Sequence, residues 1–128
     1  IFGKICEFLF AKHNKYGNME WKISYYNEKV QKVVEQWPVG VRAVYARVTE
    51  RMVIHGPNLG MPFTRSMGDG LFEIRLRGKE GIGRAFFCTI VEKQILILHV
   101  FLKKTQKTPS RELELAKKRL KEKRNEIS

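Results

Sequence analysis

The chain has few cysteines, few acidic residues and no long apolar segment. Its 128 residues include two cysteines, Cys6 and Cys88, and 13 Asp and Glu against 25 Lys and Arg. The cysteines show no spacing typical of a disulfide framework, and with three scattered histidines they form no zinc-ligand cluster. We therefore predict reduced thiols, a cytoplasmic protein, and no metal or other cofactor.

No apolar run approaches the roughly 20 residues that a membrane-spanning helix needs. The longest, Ile95–Leu98, resumes after His99 as Val100–Leu102, and this pattern predicts a buried strand. The segment Ile1–Phe10 is apolar, but two charged residues interrupt it and no small-residue cleavage site follows. We expect neither a signal peptide nor a membrane association.

Positive charge is what the chain has in excess. The formal net charge is +12, and the isoelectric point is about 10.0. Such an excess says nothing about the fold, but it favours polyanionic partners: nucleic acid, a ribosome, an anionic membrane surface or an acidic protein. With 43% hydrophobic residues, a chain of this length can bury a core and form one domain.

The periodicity of apolar residues predicts an α+β domain. An alternating strand at Glu20–Tyr26 precedes two amphipathic helices, Asn27–Trp37 and Pro38 to about Gly56, with a possible short strand at Pro62–Ser66. Three further strands and a final helix follow, at Leu71–Arg77, Ile82–Val91, Gln94–Leu102 and from Thr108–Pro109 to about Arg124. The predicted order is β-α-α-β-β-β-α, a helical hairpin packed on an antiparallel sheet with a C-terminal helix. Residues 1–18 are predicted to be an N-terminal extension of the domain at 19–128.

Most sequence templates for enzymes are missing. The chain has no Walker loop, no G-x-S-x-G, no H-E-x-x-H and no C-x-x-C. The glycines between Gly78 and Gly83 lie between two predicted strands, whereas a phosphate loop must enter a helix. What remains is a set of cations: Arg75 and Arg77 share the polar face of one strand, and Arg84 lies early in an apolar strand. An arginine in that position is predicted to need an anion.

Several strings of residues resemble the phage-derived branch of the RelE/HigB toxin family. They are Leu59–Phe63, Gly70–Arg75, Arg84 and His99–Pro109, the last containing Phe-x-Lys-Lys-Thr-x-Lys-Thr-Pro. The similarity covers roughly Met19–Arg124. It implies a RelE/ParE-like fold and the toxin of a type II toxin–antitoxin system, a hydrolase that inhibits translation as a metal-independent, ribosome-dependent mRNA endonuclease.

The resemblance also implies the chemistry and the partners. The ribose 2′-OH would attack the adjacent phosphate, which yields a cyclic phosphate and a free 5′-OH. The implied partners are the ribosome, mRNA and a HigA-like helix-turn-helix antitoxin that binds the toxin as a hetero-oligomer.

Matched position by position, the resemblance implies a set of site residues. Arg84 would stabilise the phosphorane, and three further cations would join it in the catalytic site. The implied catalytic residues are Arg84, Lys104, Arg75 and Lys103. The implied contacts to the RNA backbone are Lys107, Arg77 and Lys79.

The acid and base stay open because the chain departs from the family here. RelE-type enzymes often place a tyrosine in the terminal helix, but Thr108–Arg111 contains none. His99 is one candidate because free imidazole titrates near neutral pH, yet its place in an apolar strand also fits a hydrogen-bonded core histidine. Lys104, with a pKa lowered by cationic neighbours, is the other alternative.

Two functions from other classes compete with the nuclease. One is a non-catalytic inhibitor of gyrase, like the ParE relatives that share the fold, and the other is a prophage nucleic-acid-binding module. ParE relatives generally lack the basic catalytic cluster, so Arg84 together with Lys103 and Lys104 favours the nuclease.

Overall fold

Five strands and three helices make up the residues that the computed structural model describes, 20–103 and 109–127. The elements are β1 (Lys22–Tyr25), α1 (Glu28–Glu35), α2 (Val39–His55), β2 (Thr64–Gly68), β3 (Leu71–Gly78), β4 (Gly81–Ile90), β5 (Gln94–Lys103) and α3 (Ser110–Ile127). The predicted α+β class and the order of the helices are therefore confirmed. The predicted extension at residues 1–18, Cys6 and the helix cap at Thr108 lie outside the described residues.

The sheet differs from the prediction in the direction of β1 and in the position of β2. Its order is β1-β5-β4-β3-β2, and β1 runs parallel to β5 while the other neighbours are antiparallel. The prediction of an antiparallel sheet is wrong for the β1–β5 pair. The connection between these two strands runs through both helices and through β2, β3 and β4, and it is long enough to permit parallel pairing. The short strand predicted at Pro62–Ser66 is present as β2, two residues further along the chain.

Helices α1 and α2 begin and end where their sequence signals indicate. The Asn27 side chain accepts a hydrogen bond from the Val30 backbone N–H at 2.9 Å and so caps α1. Helix α2 starts directly after Pro38 and ends at Gly56, whose φ of 96° suits glycine. Among the described residues, no helix combines the length and the apolar character that crossing a membrane requires.

The sheet separates two apolar layers. Helices α1 and α2 cover one face, where Val41, Met52, Ile74 and Ile97 are fully buried or nearly so, and α3 covers part of the other face. Strand β5 contributes to both layers, as its uninterrupted apolar sequence predicts.

Glycine brings the helical hairpin close to the sheet at the β3–β4 end. A Cβ atom built on Gly83 would lie 2.8 Å from Val41 Cγ1 and 3.1 Å from the Trp37 ring, so only glycine fits without displacement. Trp37 and Val41 of the helical hairpin therefore contact β4 on the face at Gly83. Because successive residues of a strand point to opposite faces, the next residue, Arg84, points to the other face of the sheet. The packing of the helices thus determines where the cation of β4 points.

Candidate active site

The strand register brings cations from four separate segments onto the sheet face that carries α3. Arg75 of β3 is the direct cross-strand partner of Arg84 of β4. Glu73, two residues before Arg75, is opposite Arg65 of β2. Lys103 lies two positions beyond the β5 residue that pairs with Arg84. We call these five residues the basic cluster.

A buried carboxylate lies at the centre of the basic cluster. Glu73 Oε1 accepts hydrogen bonds from Arg84 Nη1 at 2.9 Å and from Arg65 Nε at 3.1 Å. The side chains of Glu73 and Arg84 are 0% and 1% exposed, whereas that of Arg65 is 44% exposed. The anion predicted for Arg84 is therefore a carboxylate of the protein itself. A buried charge of this kind is tolerated only when it is paired and hydrogen-bonded.

Arg84 retains a donor that the carboxylate does not use. Its Nε–H is buried and has no hydrogen-bond acceptor among residues 20–103 and 109–127. Buried donors are rarely left unsatisfied in folded proteins. Arg84 is thus anchored to Glu73 by one nitrogen and has a second one that can bind a further acceptor.

The cluster has more positive than negative charge, and this changes the proton affinities within it. Burial lowers the pKa of Lys103, and the nearby positive charges of Arg84, Arg75 and Arg65 add to that effect, while Glu73 opposes it. Burial likewise lowers the pKa of the Arg84 guanidinium, against the attraction of Glu73. The cluster contains four cations and one carboxylate, so an anion entering it is attracted by the excess positive charge.

Lys103 provides a test of this electrostatic arrangement. Its pKa is lower in the folded protein than in the unfolded chain, so folding releases a proton at pH values between the two. The free energy of unfolding should therefore rise with pH through the window below 10.5, by at most about 1.4 kcal/mol per pH unit. Relative to Lys103→Met, which lacks the titrating group, the parent protein should gain stability as the pH rises towards 10.5.

Urea unfolding of both proteins at several pH values measures this difference. Lys32→Met, which removes an exposed lysine of α1, serves as the matched control. A parent protein that instead loses stability relative to Lys103→Met as the pH rises would show that the fold stabilises the charged form of Lys103, and this would contradict the prediction.

His99 lies on the same sheet face as the basic cluster, and its ring is hydrogen-bonded. Its Nε2 lies 3.1 Å from Glu112 Oε1 at the start of α3, and its ring stacks on Phe101 with centroids 5.8 Å apart. Phe86 separates His99 from Glu73 in one row across the sheet. The His99 side chain is 14% exposed, so it is accessible to solvent as well as packed.

The structure brings together three of the seven residues that the sequence proposed. Arg75, Arg84 and Lys103 belong to the basic cluster, while Arg77 is exposed near the end of β3 and Lys79 is exposed in the β3–β4 turn. Lys104 and Lys107 lie outside the described residues. Within the described part of the chain, no three His, Cys, Asp or Glu side chains come together as a metal site.

Sequence reasoning missed Glu73 and Arg65. Glu73 alternates with apolar residues in β3, and a single carboxylate on a polar strand face is normally solvated. Arg65 lies in the short strand that was predicted only as a possibility. The signal for Glu73 was available, because the Gly78–Gly81 turn fixes the pairing of β3 with β4. That pairing places Glu73 and Arg75 beside the strand that contains Arg84.

A family model described as "Phage derived protein Gp49-like (DUF891)" matches residues 32–121. The matched region extends from within α1 into α3 and includes every residue of the basic cluster. No curated protein matches the chain.

Proposed function

The chain belongs to the Gp49-like family of phage-derived proteins, and on that premise we propose that it is the toxin of a type II toxin–antitoxin system. Membership of this family is compatible with a toxin-like function. We propose further that the toxin is a RelE/HigB-type endonuclease that cuts mRNA on the ribosome in the cytoplasm and is neutralised by a HigA-like antitoxin. The observation that carries the nuclease proposal is the basic cluster around Glu73.

Cleavage by an internal 2′-OH requires positive charge beside the reacting phosphate, and the basic cluster supplies it. The 2′-oxygen forms a bond to phosphorus, the bond from phosphorus to the 5′-oxygen breaks, and the phosphorane between them has extra negative charge. Cations already held in place stabilise such a charge without reorganisation. Arg75 and the partly exposed Arg65 are accessible to a phosphate, and the buried guanidinium of Arg84 adds its positive charge beneath them.

Glu73 has a positioning role in this proposal. It neutralises part of the charge of Arg84 and Arg65 and fixes the two guanidinium groups by hydrogen bonds to one oxygen. Fixed guanidinium groups lose little side-chain entropy when a phosphate binds, and their planar shape suits two oxygens at once. Without a carboxylate, closely spaced cations would repel one another and separate.

Proton transfer is assigned to His99. A base must take the proton of the 2′-OH, and an acid must give one to the departing 5′-oxygen. Imidazole does both near neutral pH, and Glu112 orients the ring of His99 beside the cluster. Lys104 is the alternative proton carrier, and it lies outside the described residues.

Induced expression followed by mapping of transcript 5′ ends tests the function. A ribosome-dependent nuclease should produce new 5′-OH ends within translated frames, and these should disappear when translation is blocked beforehand. Growth arrest with DNA-damage signalling and intact transcripts would instead indicate a gyrase inhibitor. RNA binding without arrest and without new ends would indicate a nucleic-acid-binding module.

A further inference from the structure

A second basic region lies at the open edge of β3. Strand β2 begins at Thr64, opposite Ile74, and the Arg75 backbone N–H still donates to the Phe63 carbonyl at 2.8 Å. Beyond this point, residues 76–78 of β3 have no strand partner on that side among the described residues. A groove of about 280 Å³ lies here between α2 and the sheet, lined by Arg47, Arg75 and Arg77 together with Phe63. Arg75 therefore belongs both to the basic cluster and to this groove.

The groove continues along α2. An adjoining hollow of about 250 Å³ shares Arg47 and Phe63 with it and adds Arg51. The Arg51 guanidinium carbon lies 5.7 Å from the centre of the Phe63 ring. Arginine over an aromatic face keeps its hydrogen-bond donors directed outward while its stem is held in place.

The groove differs from the basic cluster in having no carboxylate of its own. Arg47, Arg51, Arg75 and Arg77 form no ion pair with any residue in 20–103 or 109–127. Four unneutralised arginines around one groove repel one another, and this repulsion is relieved when an anion binds. Arginine recognises phosphate oxygens in particular, through paired N–H groups.

We propose that this edge groove, formed by Arg47, Arg51, Phe63 and Arg77 beside Arg75, binds the phosphodiester backbone of the RNA strand whose scissile phosphate lies in the basic cluster. The inference rests on the proposed function for the identity of the strand. Because Arg51 covers the Phe63 ring, the groove offers guanidinium groups rather than an open stacking surface for a base. Binding here should therefore depend on phosphates and not on base sequence.

Single-stranded RNAs of different lengths distinguish binding in the edge groove from binding in the basic cluster. RNA made non-cleavable by 2′-O-methyl groups is titrated with the full chain, and binding is followed by fluorescence anisotropy at several salt concentrations. Arg47→Gln/Arg51→Gln should bind a dodecamer about tenfold more weakly than the parent, with a salt slope smaller by about 1.4, or about 0.7 for each lost phosphate contact. Binding of a dinucleotide, which can occupy only the cluster, should not change.

Lys29→Gln/Lys32→Gln is the matched control, because it removes two exposed positive charges from α1 and leaves the edge groove intact. Thermal unfolding confirms that both double variants are folded, and the single variants Arg47→Gln and Arg51→Gln replace the double one if it is not. Equal losses in the two double variants would mean a general charge effect and would overturn the proposal.

Further outcomes distinguish the groove from the proposed function. A loss seen only with vacant ribosomes would assign the groove to ribosomal RNA, and a loss seen only with the antitoxin would assign it to an acidic protein segment. Either result overturns the inference but leaves the nuclease proposal standing. Weakened dodecamer binding by a protein that cuts no transcripts would support the groove while rejecting the nuclease.

Discussion

Arg84→Met will lower the free energy of unfolding by about 3 kcal/mol, the lower end of what breaking a buried ion pair costs. The substitution leaves Glu73 buried with Arg65 as its remaining arginine partner, and Arg65 is half exposed. A buried carboxylate that has lost its buried arginine partner is less well compensated than one that keeps it, so the folded state is destabilised. Urea unfolding at neutral pH, followed by circular dichroism, measures the effect.

The double variant Arg84→Met/Glu73→Leu distinguishes the pair from the space that it fills. Apolar residues of similar volume can replace a buried ion pair with little loss of stability. We therefore expect the double variant to unfold close to the parent, although it has lost both side chains of the pair. If the double variant is as unstable as Arg84→Met, the stability depends on how the Arg84 and Glu73 side chains pack and not on the balance of their charges.

The same double variant should cut no mRNA. Stability without activity would show that Arg84 and Glu73 serve the proposed reaction rather than the fold. A double variant that is stable and still cleaves at the parent rate would instead remove both residues from the proposed site.

Most of the fold could be predicted because local signals in the chain agree with one another. The Asn27 cap, the Pro38 break and the glycine at position 56 mark the helices without reference to the rest of the molecule. Strand β5 is apolar along nearly its whole length, which already indicates burial on both faces. Each of these signals involves only a few neighbouring residues, so it can be recognised in the sequence without knowing the tertiary structure.

The parallel pairing of β1 with β5 could not be predicted in this way. Residues 22–25 pair with residues 94–97, and no pattern in either segment specifies the direction of a partner so distant in sequence. Strand β2 was hard to delimit for a different reason. Its sequence, Thr64–Gly68, contains one large apolar residue, so the alternation that reveals other strands is weak.

The candidate site was predictable in part because the turn of a hairpin determines which residues of its two strands pair. Once Gly78 and Gly81 form a turn, Arg75 must face Arg84 across the two strands. The central role of Glu73 was not evident, because an isolated carboxylate on a polar strand face is normally solvated. Its two arginine partners come from β4 and β2, and the position of Arg65 is decided only when β2 joins the sheet.

Arg75→Ala should reduce mRNA cleavage on ribosomes by about a hundredfold while leaving the unfolding free energy within about 0.5 kcal/mol of the parent. Arg75 is partly exposed and forms no ion pair within the described residues, so its loss leaves no buried charge behind. Single-turnover cleavage at saturating ribosome concentration measures the rate separately from RNA binding. This condition matters because Arg75 also lines the edge groove.

Two further variants show what the side chain of Arg75 contributes. Lys118→Ala removes an exposed positive charge from α3 and should cleave at the parent rate. Arg75→Lys keeps the charge but loses the planar fork, so it should recover only part of the rate if two phosphate oxygens are bound at once. Full activity of Arg75→Ala would place the reacting phosphate elsewhere on the surface. Full recovery of the cleavage rate by Arg75→Lys would show that position 75 needs only a positive charge. The geometric selectivity for the phosphorane would then have to come from Arg84, which Glu73 holds in place.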